Sequence, residues 1–495
     1  MAIYIDANLV PDVDNISDSV FRYLIKKHKT RRVGLDNNYE YYLGHHKIMT
    51  SDPEDEDKIR VYSNYAKYVV DIGTGFYLGE PVKYNSNEEE SNKERKRELS
   101  NGIHARINNG ATELYDFNAN NRQIDIDALI DAYNDQTISE CDVKIAKYIG
   151  IFGECYELEY ASSDTVPTPR TSVIDPRNCI MVRDNTVEHN KLFAIVYDIC
   201  EDLSEVKYYD VMVYTDHNSK HYRSRDLENF EFSQHEENEH FFGEVPVVEY
   251  QNNDERQGDY EQVIPLIDGL NELFSNRLTD KKKFVNSLLA MFGATIDEDS
   301  LKILKEEKYL DGIPTDARIE YIQKVFDEGS MTILSNDIIR EIHKMTLTVD
   351  MTDENFAGNS SGQALMLKLM TMNILVKSKM RSFEKGLKKR FEMYNHWLFI
   401  NGAMNIIDKK EVDIIFTISM PLDKAEILDT VVKLQGIVDN KTLLQQLWFI
   451  KDADKVIEAL KEQKEEEQKQ YLDAIGLQQK ALDDNYSNNE DYDGE

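Results

Sequence analysis

The sequence predicts an α+β protein, mainly helical, on three observations. From Leu365, apolar side chains recur through Leu369, Met372, Val376, Met380, Phe383, Leu387 and Phe391, the spacing of one helix face. Between 151 and 250, short alternating runs such as ECYELEY, FAIVYDI and KYYDVMVYT are bounded by turn residues, which predicts antiparallel sheet. Helical stretches flank that region on both sides. With 41% hydrophobic residues in 495, the chain can build several cores, and length alone suggests about three domains.

In chain order, Ser17 to Lys29 reads as a helix capped by Ser17 or Asp18, with Val20, Leu24 and Ile25 on one face. Ser51 to Asp57 is an acidic turn. Tyr68 to Tyr84 is apolar and rich in Val, Tyr and Gly, a helix or strand leading into a strand-turn. Glu88 to Gln123 is charged and then Asn-rich without periodicity, a long exposed loop before a helix over Asp125 to Tyr133. Cys141 to Ile151 is helical, and after the sheet Gly258 to Val285 returns to helix with Ile264, Leu266, Ile267, Leu270, Leu273 and Phe274 on its buried side. Ser287 to Thr295 is a short apolar run and Ala317 to Phe326 alternates as a strand. Two such short strands cannot bury a core alone and need neighbours. Asn355 to Gly362 mixes Asn, Gly and Ser, which supply turns. The helix from Gly362 to Asn395 would then be about 50 Å long. Glu411 to Ser419 is a strand stopped by Met420-Pro421. Asp423 to Leu434, Asn440 to Trp448 and Asp452 to Gln470 are helical, and Asp483 to Glu495 holds six acidic residues and no basic one, a disordered tail.

Four ordered segments resemble the portal proteins of tailed double-stranded-DNA bacteriophages, of the type found in siphophages of Gram-positive hosts. TDENFAGNSSGQAL (352–365) is similar to the family's tunnel loop and following helix. NYAKYVVDIGTGFYLGEPVKY (64–84), IGIFGECYELEY (149–160) and FGEVPVVEYQNNDERQGDYEQVIPLIDGLN (242–271) resemble its wing and early stem segments, and YEYYLGHHKI (39–48) fits a further one. The resemblance implies a wing over 1–257 with a flexible loop at about 85–122, a stem helix over 258–285, a clip over 286–328 and a second stem helix over 329–347. It further implies a tunnel loop over 348–359, a long wing helix and strand over 360–420, a helical crown over 421–482 and the tail over 483–495.

It also implies a cyclic ring of twelve subunits at the capsid vertex, with duplex DNA passing through. The expected partners are terminase, a head-completion adaptor, and the major capsid and scaffolding proteins, with no membrane. The expected location is the virion, and the host cytoplasm during assembly. Asp350, Thr352, Asp353, Glu354, Asn355, Phe356 and Asn359 would face the DNA. Leu289, Met291, Ile319, Tyr321 and Ile322 would form the clip interface between subunits. Lys281, Lys282, Arg340, Lys344, Lys377 and Lys385 are candidate basic contacts, to the tunnel or to a neighbour. The alternatives are another virion connector or tail component, or a helical host enzyme or scaffold.

A net charge of −34 is the reverse of a tight DNA binder, which presents basic patches to phosphates. A conduit has the opposite need, because an acidic lining repels DNA within a Debye length of about 8 Å; acidity serving solubility alone is the other reading. Against that charge, Lys377, Lys379, Arg381, Lys385, Lys388, Lys389 and Arg390 on the long helix are opposed by Glu384 and Glu392, and Arg277 with Lys281 to Lys283 forms a second cluster. These read as a solvated face, as partners for a neighbour's acids, or as tunnel contacts. They cannot all point one way, since successive helical positions lie about 100° apart.

No chemistry stands out. The chain has no phosphate-binding G-x-x-x-x-G-K-[ST], no H-E-x-x-H and no G-x-S-x-G, and Gly73-Thr74-Gly75 with Gly79 misses the dinucleotide spacing. His45-His46 reads as a polar surface pair with no ligand partner at metal spacing. Cys141, Cys155, Cys179 and Cys200 are irregularly spaced, as free thiols of a reducing compartment. No cofactor and no enzymatic activity are expected. No run reaches the length of a membrane span, and the N-terminus has neither the basic nor the apolar part of a signal peptide, so a soluble protein is expected. Asn15 and Asn440 begin glycosylation sequons by coincidence.

Overall fold

The computed structural model describes residues 2–86, 128–165, 167–227, 234–285, 288–293, 318–322, 328–350, 369–402, 407–418 and 424–445, with scattered positions at 367 and between 447 and 464. The chain divides into two compact units, Met1–Asn359 with Leu365–Ser419, and Ser360–Ala364 with Met420–Glu495.

In the first unit, α1 (Asp18–Leu43) runs well past the Lys29 expected from its apolar stripe. Residues 30–38 are mostly polar, so no stripe marks them. They remain helical because Leu35, Tyr41 and Tyr42 enter a second core. Gly44, at φ +92, ends the helix in the left-handed conformation that suits glycine. Residues 65–84 resolve into α2 (Tyr65–Leu78), capped by the Asn64 side chain accepting from the Lys67 amide at 3.0 Å, followed by β2 (Lys83–Ser86). The third helix, α3, spans Ile138–Phe152.

Most of the sheet is antiparallel as read. β3 (Glu154–Ala161) pairs with β4 (Pro169–Ile174) and β10 (Val247–Gln251), while β5 (Cys179–Asp184), β6 (Lys191–Glu201), β7 (Lys207–Tyr214), β8 (Asn218–Ser224) and β9 (Gln234–Glu239) follow one another in a second sheet. β1 (Ile3–Ile5) joins the second sheet parallel to β5. Alternation distributes the side chains. Ile180, Val182, Phe193 and Ile195 pack with Phe21, Leu24 and Ile25 of α1, whereas Cys179, Met181 and Ala194 pack with Tyr156 and Val247 of the three-stranded sheet. The opposite face of that sheet meets the long helix α6 (Met370–Ile400), where Tyr250 lies on Gly386. Leu369, Met372, Val376, Phe383, Leu387 and Phe391 are all buried, as their spacing predicted. β13 (Val412–Ile415) pairs with β2.

The two helices expected to form a stem pack as a hairpin. α4 (Ile264–Val285) packs against α5 (Glu328–Thr346), and Lys281 of the first reaches Glu328 of the second at 2.8 Å. Between them β11 (Leu288–Phe292) and β12 (Arg318–Ile322) pair antiparallel, Leu289 opposite Tyr321, Met291 opposite Ile319 and Leu288 opposite Ile322. These short strands therefore take one edge of partners from within the chain, where the sequence suggested only neighbours. In the second unit, α7 (Lys424–Leu434) and α8 (Asn440–Gln445) are described, with further helical positions between 456 and 464. The segment 88–123, expected as an exposed loop, and the acidic tail lie outside the described residues. Among the described residues no helix is long and apolar enough to cross a membrane.

Candidate functional site: the stem, the root of its loop and the long helix

The predicted tunnel loop springs from a fixed root. α5 ends at Thr346, and Leu347 turns the chain at φ +54, a strained conformation for a residue with a side chain. The Thr346 and Thr348 hydroxyls hold that turn at 2.7 Å, the Tyr68 hydroxyl donates to the Val349 carbonyl at 3.2 Å, and His343 Nδ1 lies 3.3 Å from the Thr348 carbonyl. Tyr65 and Tyr68 meet the His343 ring edge-on. Asp350 sits 3.9 Å from His343 Nε2, at the base of the loop. Thr352, Asp353, Glu354, Asn355, Phe356 and Asn359 lie outside the described residues.

The helix α4 carries a polar stripe on its buried side. Asn271, Ser275 and Thr279 are four residues apart and almost fully buried. The Asn271 side-chain oxygen accepts from the Ser63 amide at 2.8 Å, the Ser275 hydroxyl from the Val61 amide at 3.1 Å, and the Thr279 hydroxyl from the Ile59 amide at 2.9 Å. Four helical residues rise about 6 Å and two extended residues about 6.6 Å, so an extended strap and a helix stay in step over this length. His46, read as a surface residue, is buried beside the strap, 3.3 Å from Asn271 and between the Tyr41 and Tyr62 rings. His45 is the exposed member, on Glu40 at 2.5 Å. Of the predicted stem cations, Lys281 binds Glu328, Lys282 binds Asp57 at 3.1 Å, Arg340 binds Asp337 at 2.8 Å and Lys344 binds Glu341 at 3.2 Å. All four are exposed pairs, which contribute little to stability.

The seven basic residues of the long helix sort into three groups. Lys379 and Arg390 point inward, correcting the reading of the whole cluster as a surface feature. Lys379 donates to both oxygens of Asp259 at 2.5 Å. Arg390, fully buried, binds Glu157 at 2.6 Å and Asp142 at 2.7 Å. Lys388 pairs with Glu384, and Lys389 with Glu244 and Glu392. Lys377, Arg381 and Lys385 are exposed, and among the described residues no ion pair involves them.

The acids opposite these cations escaped the sequence reading, which saw ECYELEY only as an alternating strand of an antiparallel sheet. Both faces are covered. Glu157 and Glu159 lie under the long helix, while Glu154 on the other face binds Arg31 at 2.5 Å and Arg256 at 2.9 Å. Arg256 also binds Glu249, which holds Arg183 at 2.8 Å. Glu159 accepts from the Thr171 hydroxyl at 2.5 Å, and that hydroxyl lies 2.9 Å from the Tyr394 hydroxyl. Burial, then repulsion from Glu157, pushes the Glu159 carboxyl well above the usual carboxylate range. The four cysteines are free, and burial raises the Cys155 and Cys179 thiols. Among the described residues no group of His, Cys, Asp or Glu is placed to hold a metal ion.

The described residues place two paired short strands between the helices of a hairpin, and a long helix against a three-stranded sheet. Residues 22–470 match the family described as "Phage portal protein, SPP1 Gp6-like", and the chain belongs to it. It is 28% identical over 269 residues to the portal protein of Clostridium phage phiCD119, covering 50% of this chain and 53% of that one. It is 22% identical over 332 residues to the portal protein of Bacillus phage SPP1, covering 62% of each. The chain thus spans between half and two thirds of the length of these relatives. Among solved structures it is similar to the neck of an empty GTA particle computed with C6 symmetry, at TM-score 0.40 and 9% identity, covering 77% of this chain and 89% of that chain; that likeness is too weak to bear on fold or assembly.

Proposed function

We propose that the protein is a structural, non-enzymatic ring at one vertex of a phage capsid, through which duplex DNA enters during packaging and leaves on ejection. The observation that supports this reading is the order of helix, paired strands, helix and long helix inside the family match, with an acidic sequence rich in Asn, Gly and Ser between the last two. A single chain of this size cannot enclose a duplex, and identical subunits joined head to tail close into a cyclic ring; twelve is the number proposed.

The roles are positional. The loop 348–359 surrounds the DNA, with Asp350, Asp353 and Glu354 of each copy forming an acidic collar that repels phosphate within a Debye length. The clip, 286–328, docks terminase and later the head-completion adaptor, with the outer edges of β11 and β12 facing adjacent subunits through Leu289, Met291, Ile319, Tyr321 and Ile322. The crown, 421–482, sits inside the capsid built by the major capsid and scaffolding proteins. ATP hydrolysis belongs to terminase. End-on negative-stain averages of the purified protein test this reading: rings with a central channel are expected, and solid particles or monomers at virion-like concentrations would sink it.

A further inference from the structure

We infer that one stripe of the long helix, Met370, Ile374, Lys377, Arg381 and Lys385, seats a second copy of this chain in the ring. The inference rests on the ring assembly proposed above and assigns it a surface. At 100° per residue these five positions fall within an arc of about 80°, over a length of about 22 Å. The opposite side of the same helix is the buried one, with Met372, Val376, Lys379 and Phe383.

The stripe has two parts. Met370 and Ile374 are 54% and 59% exposed, large for apolar groups on a packed helix. One to three turns on, Lys377, Arg381 and Lys385 are exposed, while the other four basic residues of the helix are held by carboxylates of their own chain. Cations without a carboxylate partner among the described residues are unexpected in a chain with 92 acidic and 58 basic residues. Their complement is in excess on the same chain, so a second copy can supply the carboxylates.

DNA is the competing occupant, since three aligned cations also suit phosphates. The apolar end decides between them. Met370 and Ile374 gain from leaving water against protein and gain nothing from a phosphate backbone. Their steps of four, three, four and four residues also follow the spacing of a helix seam packed on another protein surface. A head-to-tail contact places this stripe against a different face of its neighbour, so the seam does not need to be self-complementary.

Zero-length carbodiimide cross-linking of rings assembled from mixed light and nitrogen-15 chains tests the seam without mutation. Cross-links from Lys377 or Lys385 to a carboxylate, joining a light and a heavy peptide, are expected. In parallel, the K377E/R381E/K385E variant should need a roughly tenfold or higher protein concentration to form rings by mass photometry, with its melting temperature unchanged. Cross-links confined to single-isotope pairs would overturn the inference even if the variant misfolds. So would variant rings as robust as the parent's, including the case in which they only change DNA retention, which would place the stripe against the duplex. Parent protein that forms no rings would fail the ring reading itself, and the seam with it.

Discussion

Arg390 of the long helix binds Glu157 of β3 through Nη2 and Oε1 at 2.6 Å, with neither side chain exposed to solvent. The guanidinium also reaches Asp142 on α3, so one cation ties the long helix to both the sheet and the helix beneath it. Buried charge of this kind adds little net stability when complete and is costly when broken.

Arg390→Met should therefore destabilise the subunit by about 3–5 kcal/mol, because Glu157 and Asp142 are left buried without their cation. Arg390→Lys should recover only part of this, since an ammonium cannot reproduce the planar fork. Urea denaturation of the two variants beside the parent gives both values.

Glu159 makes the same centre sensitive to pH. Burial and Glu157 raise its carboxyl, against opposition from Arg390, the Thr171 hydroxyl and Lys191; Asp142 and the Tyr84, Tyr133, Tyr250 and Tyr394 hydroxyls complete the surroundings. The folded state holds this proton more tightly than the unfolded chain, so its contribution is fully present below the ordinary value of about 4.5 and declines as pH rises above it. Glu159→Gln keeps the shape and removes the titration. The variant should match the parent near pH 4 and exceed it in stability at pH 7 and 9, measured by chemical denaturation, and a parallel loss at every pH would refute the assignment.

Gly386→Ala should destabilise despite favouring helix. A Cβ at this position would lie 2.2 Å from Cε1 of Tyr250, whose hydroxyl donates to Glu157 at 2.6 Å. Overpacking costs typically about 1–3 kcal/mol, against a propensity gain of about 1 kcal/mol. A lowered melting temperature is expected, and Gly386→Ala combined with Tyr250→Leu should restore part of it.

The strap on the stem makes a local prediction. Thr279→Val and Ser275→Ala each strip a partner from a backbone amide, at about 1 kcal/mol apiece. Hydrogen exchange of peptides covering 59–63 should quicken in both variants while β5 and β6 stay protected. Equal quickening everywhere would mean global destabilisation instead.

If Asp353 and Glu354 line the proposed DNA path, changing them together to Lys should turn a phosphate-repelling collar into a phosphate-binding one. Each Lys that touches phosphate adds to a salt-dependent hold on DNA. Rings should still assemble, and DNA packaged per capsid in a reconstituted extract should fall at low salt and recover at higher salt. Equal packaging at low salt would remove this loop from the DNA path.

The sequence by itself determined most element types and their order, because a periodicity of 3.6 or 2 is a local property, but it left 68–84 as helix or strand and gave no sign of β1. The apolar face of the long helix, the alternating strands before Tyr250, the two helices that pack as a hairpin and the segments that resemble portal proteins were all legible. It left open where α1 ends, since polar residues 30–38 show no stripe. It also left open which charges turn inward. Lys377 and Lys379 differ by two positions on one helix, yet the first is exposed and the second buried on Asp259, 120 residues away in the chain. Arg390 finds Glu157 across 233 residues. A buried charge is tolerable only where a distant partner meets it at bonding distance, and that meeting is decided by the packing of the helix on the sheet.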